Sequence, residues 1–140
     1  MSKTTIKAIL GIQDNTIEAL LNQAASLYSD GDHPQMRKLL RGVIALAPDD
    51  PRPHTLLGSS YLLEGRDLDA ERAYSEAYTR DSSDPYTLVA LGELKLRSLQ
   101  LEAAVMLFKQ LFEHVDHQTH PAAIRAHHLM RDYYQKLGGH

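Results

Sequence analysis

The sequence predicts an all-α protein, a stack of helix–turn–helix units, on three observations. The first is a period of 34 residues: Leu57-Gly58 recurs as Leu91-Gly92, Ala70 as Ala104, Tyr74 as the aromatic Phe108, and Pro51 as Pro85. A repeat of this length is one supersecondary unit that buries its apolar face against its neighbours. The second is helical patterning, as in Leu39, Leu40, Val43, Ile44 and again in Ala103, Ala104, Leu107, Phe108, Leu111. The third is punctuation. Gly31 and Gly65 stand where a first helix must stop and turn into a second. Asp49-Asp50-Pro51 and Asp81-Ser82-Ser83-Asp84-Pro85 break the chain between units. No stretch alternates as a strand would.

Each element follows from that phase. A short helix is expected at residues 4-10. Asp14, Asn15 and Thr16 are candidate caps for the next helix, with Glu18 near its first turn. Projection back by one period sets Gly65 on Gly31, Gly58 on Ala24 and Tyr74 on Leu40. Projection forward sets Gly92 on Ala126. The units therefore fall at about 17-50, 51-84 and 85-118, and one capping helix at about 121-137. Pro34 suits the first turn of its helix, where a missing N–H costs nothing, and Pro48 closes the same helix. The whole chain, 1-140, is expected to form one domain. In the last helix Ala123, Ala126, Leu129, Met130, Tyr133 and Leu137 make a long apolar stripe. Part of it should pack on the preceding helix, and the remainder favours a weak homodimer.

Composition removes several function classes. Hydrophobic residues are 43% and charged residues 24% of 140, near the globular average. The net charge is -3 with acids and bases spread over both halves, so there is no electrostatic footprint for nucleic acid. Cysteine is absent, which removes disulfides and thiolate chemistry. No apolar run approaches the roughly 20 residues of a membrane span. The start of the chain is too polar for a secretory signal, so the expected location is the cytoplasm.

The repeat resembles the tetratricopeptide repeat, whose signature sets a Trp, Leu-Gly, Tyr, Ala, an aromatic and a closing Pro at fixed offsets. Unit two matches with Leu57, Gly58, Tyr61, Gly65, Ala70 and Tyr74. Unit three keeps Leu91, Gly92, Ala104 and Phe108, with Lys95 for the Tyr and Leu99 for the turn glycine. Unit one carries Ala24, Leu27, Gly31, Leu40 and Pro48. The Trp sites hold Leu20, His54 and Leu88. The resemblance implies a right-handed superhelix whose first helices line a concave groove. By phase that groove takes Leu21, Ala25 and Tyr28 from unit one. Unit two gives Arg52, Thr55, Ser59 and Leu62; unit three gives Tyr86, Val89, Glu93 and Leu96; the last helix adds His127. Relatives that read acidic carboxyl-terminal peptides use Lys, Asn and Arg at phases held here by Leu21, Ala25, Leu56, Tyr86 and Ala90. That specificity is rejected in favour of a peptide with hydrophobic anchors. A chain of three such units with flanking helices, mildly acidic and free of cysteine, also resembles the class II chaperones of type III secretion, which hold translocator subunits before export. Fragments of that group's signature are Leu27-Tyr28-x-x-Gly31 and Leu56-Leu57-Gly58.

Catalytic constellations are thin. There is no phosphate-binding glycine loop and no nucleophile elbow. His114, His117 and His120 recur every three residues, a spacing with metal-ligand character. His120-Pro121 breaks the helix, however, and the reading preferred is a solvated helix end with no metal and no cofactor. The function expected is a non-catalytic peptide-binding chaperone or adaptor. The alternative is a scaffold subunit of a larger assembly, and a remote one is a metal-binding protein built on the histidines.

Overall fold

A computed structural model describes residues 6–138, with side chains from Ala8 onward. Among the described residues there are eight helices and no strand: α1 (Ile6–Leu10), α2 (Asp14–Ser29), α3 (His33–Leu46), α4 (Arg52–Leu63), α5 (Asp67–Arg80), α6 (Pro85–Arg97), α7 (Leu101–His114) and α8 (Pro121–Lys136). Residues 4 and 5 of the expected first helix lie outside the described range. The helices group into two compact units, Met1–Arg80 and Asp81–His140, divided at the expected break before Pro85.

In the first unit, α2 packs on α3, α3 on α4, and α4 on α5. The core joins Ile17, Leu21 and Ala24 of α2 to Met36, Leu40 and Val43 of α3, with Leu57 and Ala73 from the next pair. In the second unit α6 is central, packed against both α7 and α8. Its residues from Thr87 to Leu94 are all buried, as are Ala104, Phe108 and Leu111 of α7 and Ala122, Ala123 and Ala126 of α8.

The close approach within each pair is made by glycine. A methyl group added to Gly58 would stand 2.7 Å from Cδ2 of Tyr74. One added to Gly92 would stand 2.7 Å from Cζ of Phe108, with Cε1 nearer still. Tyr74 keeps its buried hydroxyl satisfied through Ser59 Oγ at 2.9 Å. In α2 and α3 the corresponding pair is Ala24 and Leu40, both wholly buried.

The turns show one motif three times. At Gly31 (φ 78°) and Gly65 (φ 74°) the chain turns left-handed, and the amide of the next residue bonds back across the last turn. These bonds are Asp32 N to Leu27 O at 2.9 Å and Arg66 N to Tyr61 O at 2.9 Å. The same bond from Gln100 N to Lys95 O, 2.8 Å, closes α6, yet the residue at the turn is Leu99 with φ 62°. A leucine there pays a steric cost that glycine avoids, and its side chain is 76% exposed, so packing returns little.

Side chains cap the starts of α3 and α6: Asp32 accepts from Gln35 N at 3.3 Å, and Asp84 accepts from the Tyr86 and Thr87 amides. The caps expected for α2 are displaced: its cap position is Gln13, without a side-chain bond. Asp14, Asn15 and Thr16 lie one to three residues inside, where Asp14 still complements the positive end of the helix. Glu18 bonds Arg52 of α4 instead.

His54 occupies the phase that holds Leu20 in α2 and Leu88 in α6. It is 7% exposed, and its Nε2 has no hydrogen-bond partner. Burial, and then the Arg80 guanidinium, hold its pKa below the usual 6.5; Glu76 and Asp50 oppose the shift. The unfolded chain therefore takes up a proton near pH 6.5 that the folded chain accepts only at lower pH. Stability from this site is full above pH 6.5 and is lost as pH falls through the folded value.

Three stability measurements follow. Gly92→Ala should destabilise the chain by about 1–2 kcal/mol, because overpacking outweighs the better helix propensity of alanine. Gly42→Ala, with nothing within 4 Å of the added methyl, should stabilise it by up to about 1 kcal/mol. Equal urea midpoints for the two variants would remove the close-contact argument. Leu99→Gly should stabilise by about 0.5–1 kcal/mol, the relieved strain less the added freedom of the unfolded chain; a lower melting temperature would contradict this. His54→Leu should flatten the loss of stability as pH falls below about 6.5. An unchanged slope would assign the acid sensitivity to another group.

Candidate partner-binding faces

The expected groove residues are described unit by unit. In the first unit α2 and α4 lie side by side. Ala25 is exposed and Tyr28 half-buried, its ring edge-on to His33 at 5.7 Å. Leu21 belongs to the core instead, at 6% exposure. On α4, Arg52, Thr55, Ser59 and Leu62 step along one face at helical spacing. Thr55 and Ser59 turn their hydroxyls back to the Pro51 and Thr55 carbonyls, at 3.4 and 3.1 Å. Leu62 is half-buried.

Arg52 was expected to face a partner. Its guanidinium is engaged within the chain: Nη2 donates to Asp50 Oδ2 at 2.7 Å, Nε to Asp50 Oδ1 at 3.0 Å, and Nη1 to Glu18. Its hydrogen bonds to Asp50 and Glu18 raise its pKa further above an already basic value.

In the second unit α6 and α8 are neighbours. Tyr86 is 53% exposed, its ring 5.6 Å from that of His120. Val89 and Leu96 are packed to 8% and 6% exposure. Glu93 Oε1 accepts from Arg97 Nη2 at 3.1 Å and from Arg125 Nη2 at 3.0 Å, tying α8 to α6. His127 is exposed and stacks on Phe112 of α7, with centroids 4.9 Å apart and planes at 16°.

Of the expected groove residues, then, Leu21, Val89 and Leu96 are packing residues, and the charges of Arg52 and Glu93 are spent on internal partners. Tyr28, Leu62 and Tyr86 keep accessible apolar surface. The ion pair of Glu18 with Arg52 had a signal in the sequence, because the two residues are one repeat period apart. So are Tyr86 and His120. Arg125 had no such signal.

The histidine triplet does not converge. His114 ends α7; His117 lies in the turn with its ring 4.5 Å from Phe112; His120 caps α8, its Nδ1 accepting from Ala122 N at 3.1 Å. The proline after His120 starts α8, and the His120 ring packs on Tyr86. No group of three His, Cys, Asp or Glu side chains is gathered for a metal among the described residues. Nor is any helix among them long and apolar enough to cross a membrane.

A second polar network joins α3 to α4. Arg37, 9% exposed, donates to Ser60 Oγ at 3.0 Å and to Glu64, while His33 Nδ1 lies 2.8 Å from the same hydroxyl. Arg37 and Arg66 stand 5.1 and 4.7 Å from the centre of the Tyr61 ring. Buried polar groups in this network satisfy one another, so it reads as a repeat-to-repeat joint.

No protein-family model matches the chain. Cellulose synthase operon protein C of Xanthomonas axonopodis pv. citri (strain 306) is 33% identical over 106 residues, a stretch that is 76% of this chain and 6% of that protein. Among solved structures, the chain is similar to the type III secretion translocator chaperone SycD of Yersinia enterocolitica. The identity is 21%, the TM-score 0.79, and the match covers 94% of this chain and 99% of that one. The same chaperone in complex with a peptide of the translocator YopD matches at 20% identity and TM-score 0.76, covering 90% and 98%. PcrH of Pseudomonas aeruginosa matches at 21% identity and TM-score 0.75, covering 87% and 94%. The chain thus has the all-α, tetratricopeptide-type fold of these chaperones.

Proposed function

We propose that this chain is a small non-catalytic chaperone that holds an apolar segment of a partner polypeptide in the cytoplasm, its client being a translocator-type subunit of a secretion system. The observation that carries this reading is the disposition of charge on the two faces. The charged side chains expected to read a partner, Arg52 and Glu93, are satisfied inside the chain. Tyr28, Leu62 and Tyr86 remain as contact groups, and aromatic and aliphatic anchors are what an apolar peptide segment needs. The near-complete mutual coverage with SycD supports the same reading, and a solved complex of that chaperone holds a translocator peptide. The exposed Tyr134 and Leu137 at the end of α8 favour a weak homodimer.

The scaffold reading draws on a different observation. The similarity to cellulose synthase operon protein C covers only 6% of that protein, so a related sequence is embedded in a far longer chain.

Capture of partners from the native cell, followed by titration of the recovered client, separates the two. Tyr86→Ala combined with Leu62→Ala should weaken client binding at least about tenfold, since truncating an anchor costs about 2 kcal/mol. The melting temperature should stay close to wild type, because both side chains are partly exposed. Raising salt should change the affinity little, as no free charge of Arg52 or Glu93 takes part. Binding that survives the double variant but fails on Arg72→Ala, at the exposed surface of α5, would move the site and favour the scaffold.

A further inference from the structure

The turn after α7 and the middle of α8 bring two histidines together over one aromatic ring. His117 lies 4.5 Å from the Phe112 centroid with its plane tilted 31°, and His127 lies 4.9 Å away at 16°. The two imidazole centroids are 6.4 Å apart, at 46°. Both imidazoles therefore pack against the one Phe112 ring and neighbour each other. With metal–nitrogen bonds of about 2.0–2.1 Å and a ring nitrogen about 1.1 Å from its centroid, two imidazoles sharing one ion have centroids roughly 4.5 Å apart at a right-angled N–metal–N and roughly 6.4 Å apart in line. The observed spacing matches the in-line arrangement, with the imidazoles trans across the ion.

The tautomer of His117 is set as a ligand requires. Its Nε2 is 3.1 Å from the Phe112 carbonyl oxygen. A carbonyl only accepts, so Nε2 carries the hydrogen and Nδ1 keeps its lone pair; such a bond to a backbone carbonyl is the usual outer support of a metal-binding imidazole. The turn itself is held by Asp116 Oδ1, which accepts from Gln118 N at 2.8 Å and Thr119 N at 3.1 Å. His127 rides on a helix seated by the buried Ala122, Ala123 and Ala126. Both imidazoles are exposed, so water reaches the remaining coordination positions.

We propose that His117 and His127 form a two-imidazole site for a divalent late first-row transition ion, with copper(II) and nickel as the class whose square-planar or tetragonal shells accept imidazoles trans to each other. Phe112 packs against both rings. The ion ties the α7–α8 turn to α8, and water completes its shell, which sets the site apart from a closed four-ligand structural centre. It differs from the histidine triplet visible in the sequence: His114 and His120 take no part, and His127 comes from ten residues further along the chain.

The test titrates copper(II) chloride and nickel chloride into the metal-free full chain by calorimetry, alongside His117→Ala, His127→Ala, and the controls His114→Ala and His128→Ala. One ion should bind per chain. Either site variant should weaken it about tenfold or more, and neither control should. Nickel should also broaden the ring-proton signals of His117 and His127 in the unaltered protein before those of any other histidine, a readout that survives if a variant folds poorly. Undiminished affinity in both site variants, or equal loss in the controls, would overturn the site; so would broadening that begins at other histidines.

Discussion

The separation of paired helices in this chain is set at Gly58 and Gly92, where a Cβ would intrude on the ring of Tyr74 or Phe108. Both rings are about 3% exposed, and Ala70 and Ala104 lie wholly buried on the same helices. A large side chain can fill that space only because the opposite helix contributes a hydrogen atom. The first pair solves the same volume problem with Ala24 and Leu40, moving bulk from one helix to the other at little cost. Once the spacing is fixed, α2 and α4, and separately α6 and α8, come near enough for Glu18 to reach Arg52 and for Glu93 to reach Arg125.

Much of the fold was legible because its determinants are local and periodic. The three helix pairs, the breaks at Asp50-Pro51 and Asp84-Pro85, and the turns at Gly31 and Gly65 each need only a few neighbouring residues to specify them. Leu99 was visible as a departure from the glycine phase, and the structure adds that the backbone keeps the glycine conformation regardless. Capping of α2 was less legible, since Asp14, Asn15 and Thr16 all have the right chemistry and the chain begins the helix just before them.

The candidate site was legible in outline and less so in detail. Helical phase names the residues on a face, but it does not say how deeply each is packed. Val89 and Leu96 sit at groove phases and are nevertheless buried, because α6 is covered by both α7 and α8. Phase is also silent on long side chains reaching between helices. Arg52 and Glu93 look like free recognition charges until Asp50, Glu18, Arg97 and Arg125 are seen around them. The histidines show the same effect in reverse: a run spaced by three is pulled apart by the start of α8, while His117 and His127 meet across a ring that no spacing rule would select.

The internal pairing of Arg52 and Glu93 also bears on rates. Opposed charge fields draw partners together well above the unsteered rate of about 10⁵–10⁶ M⁻¹s⁻¹, and they turn away wrong partners at a distance. Faces whose charges are already answered exert little such pull. Encounter is then governed by ordinary diffusion and by how often an apolar segment arrives in a usable orientation, so lifetime rather than capture speed distinguishes one segment from another. Under the proposed holding role, such a face works best where the partner segment is made close by and in quantity, because proximity supplies the encounter frequency that the surface does not.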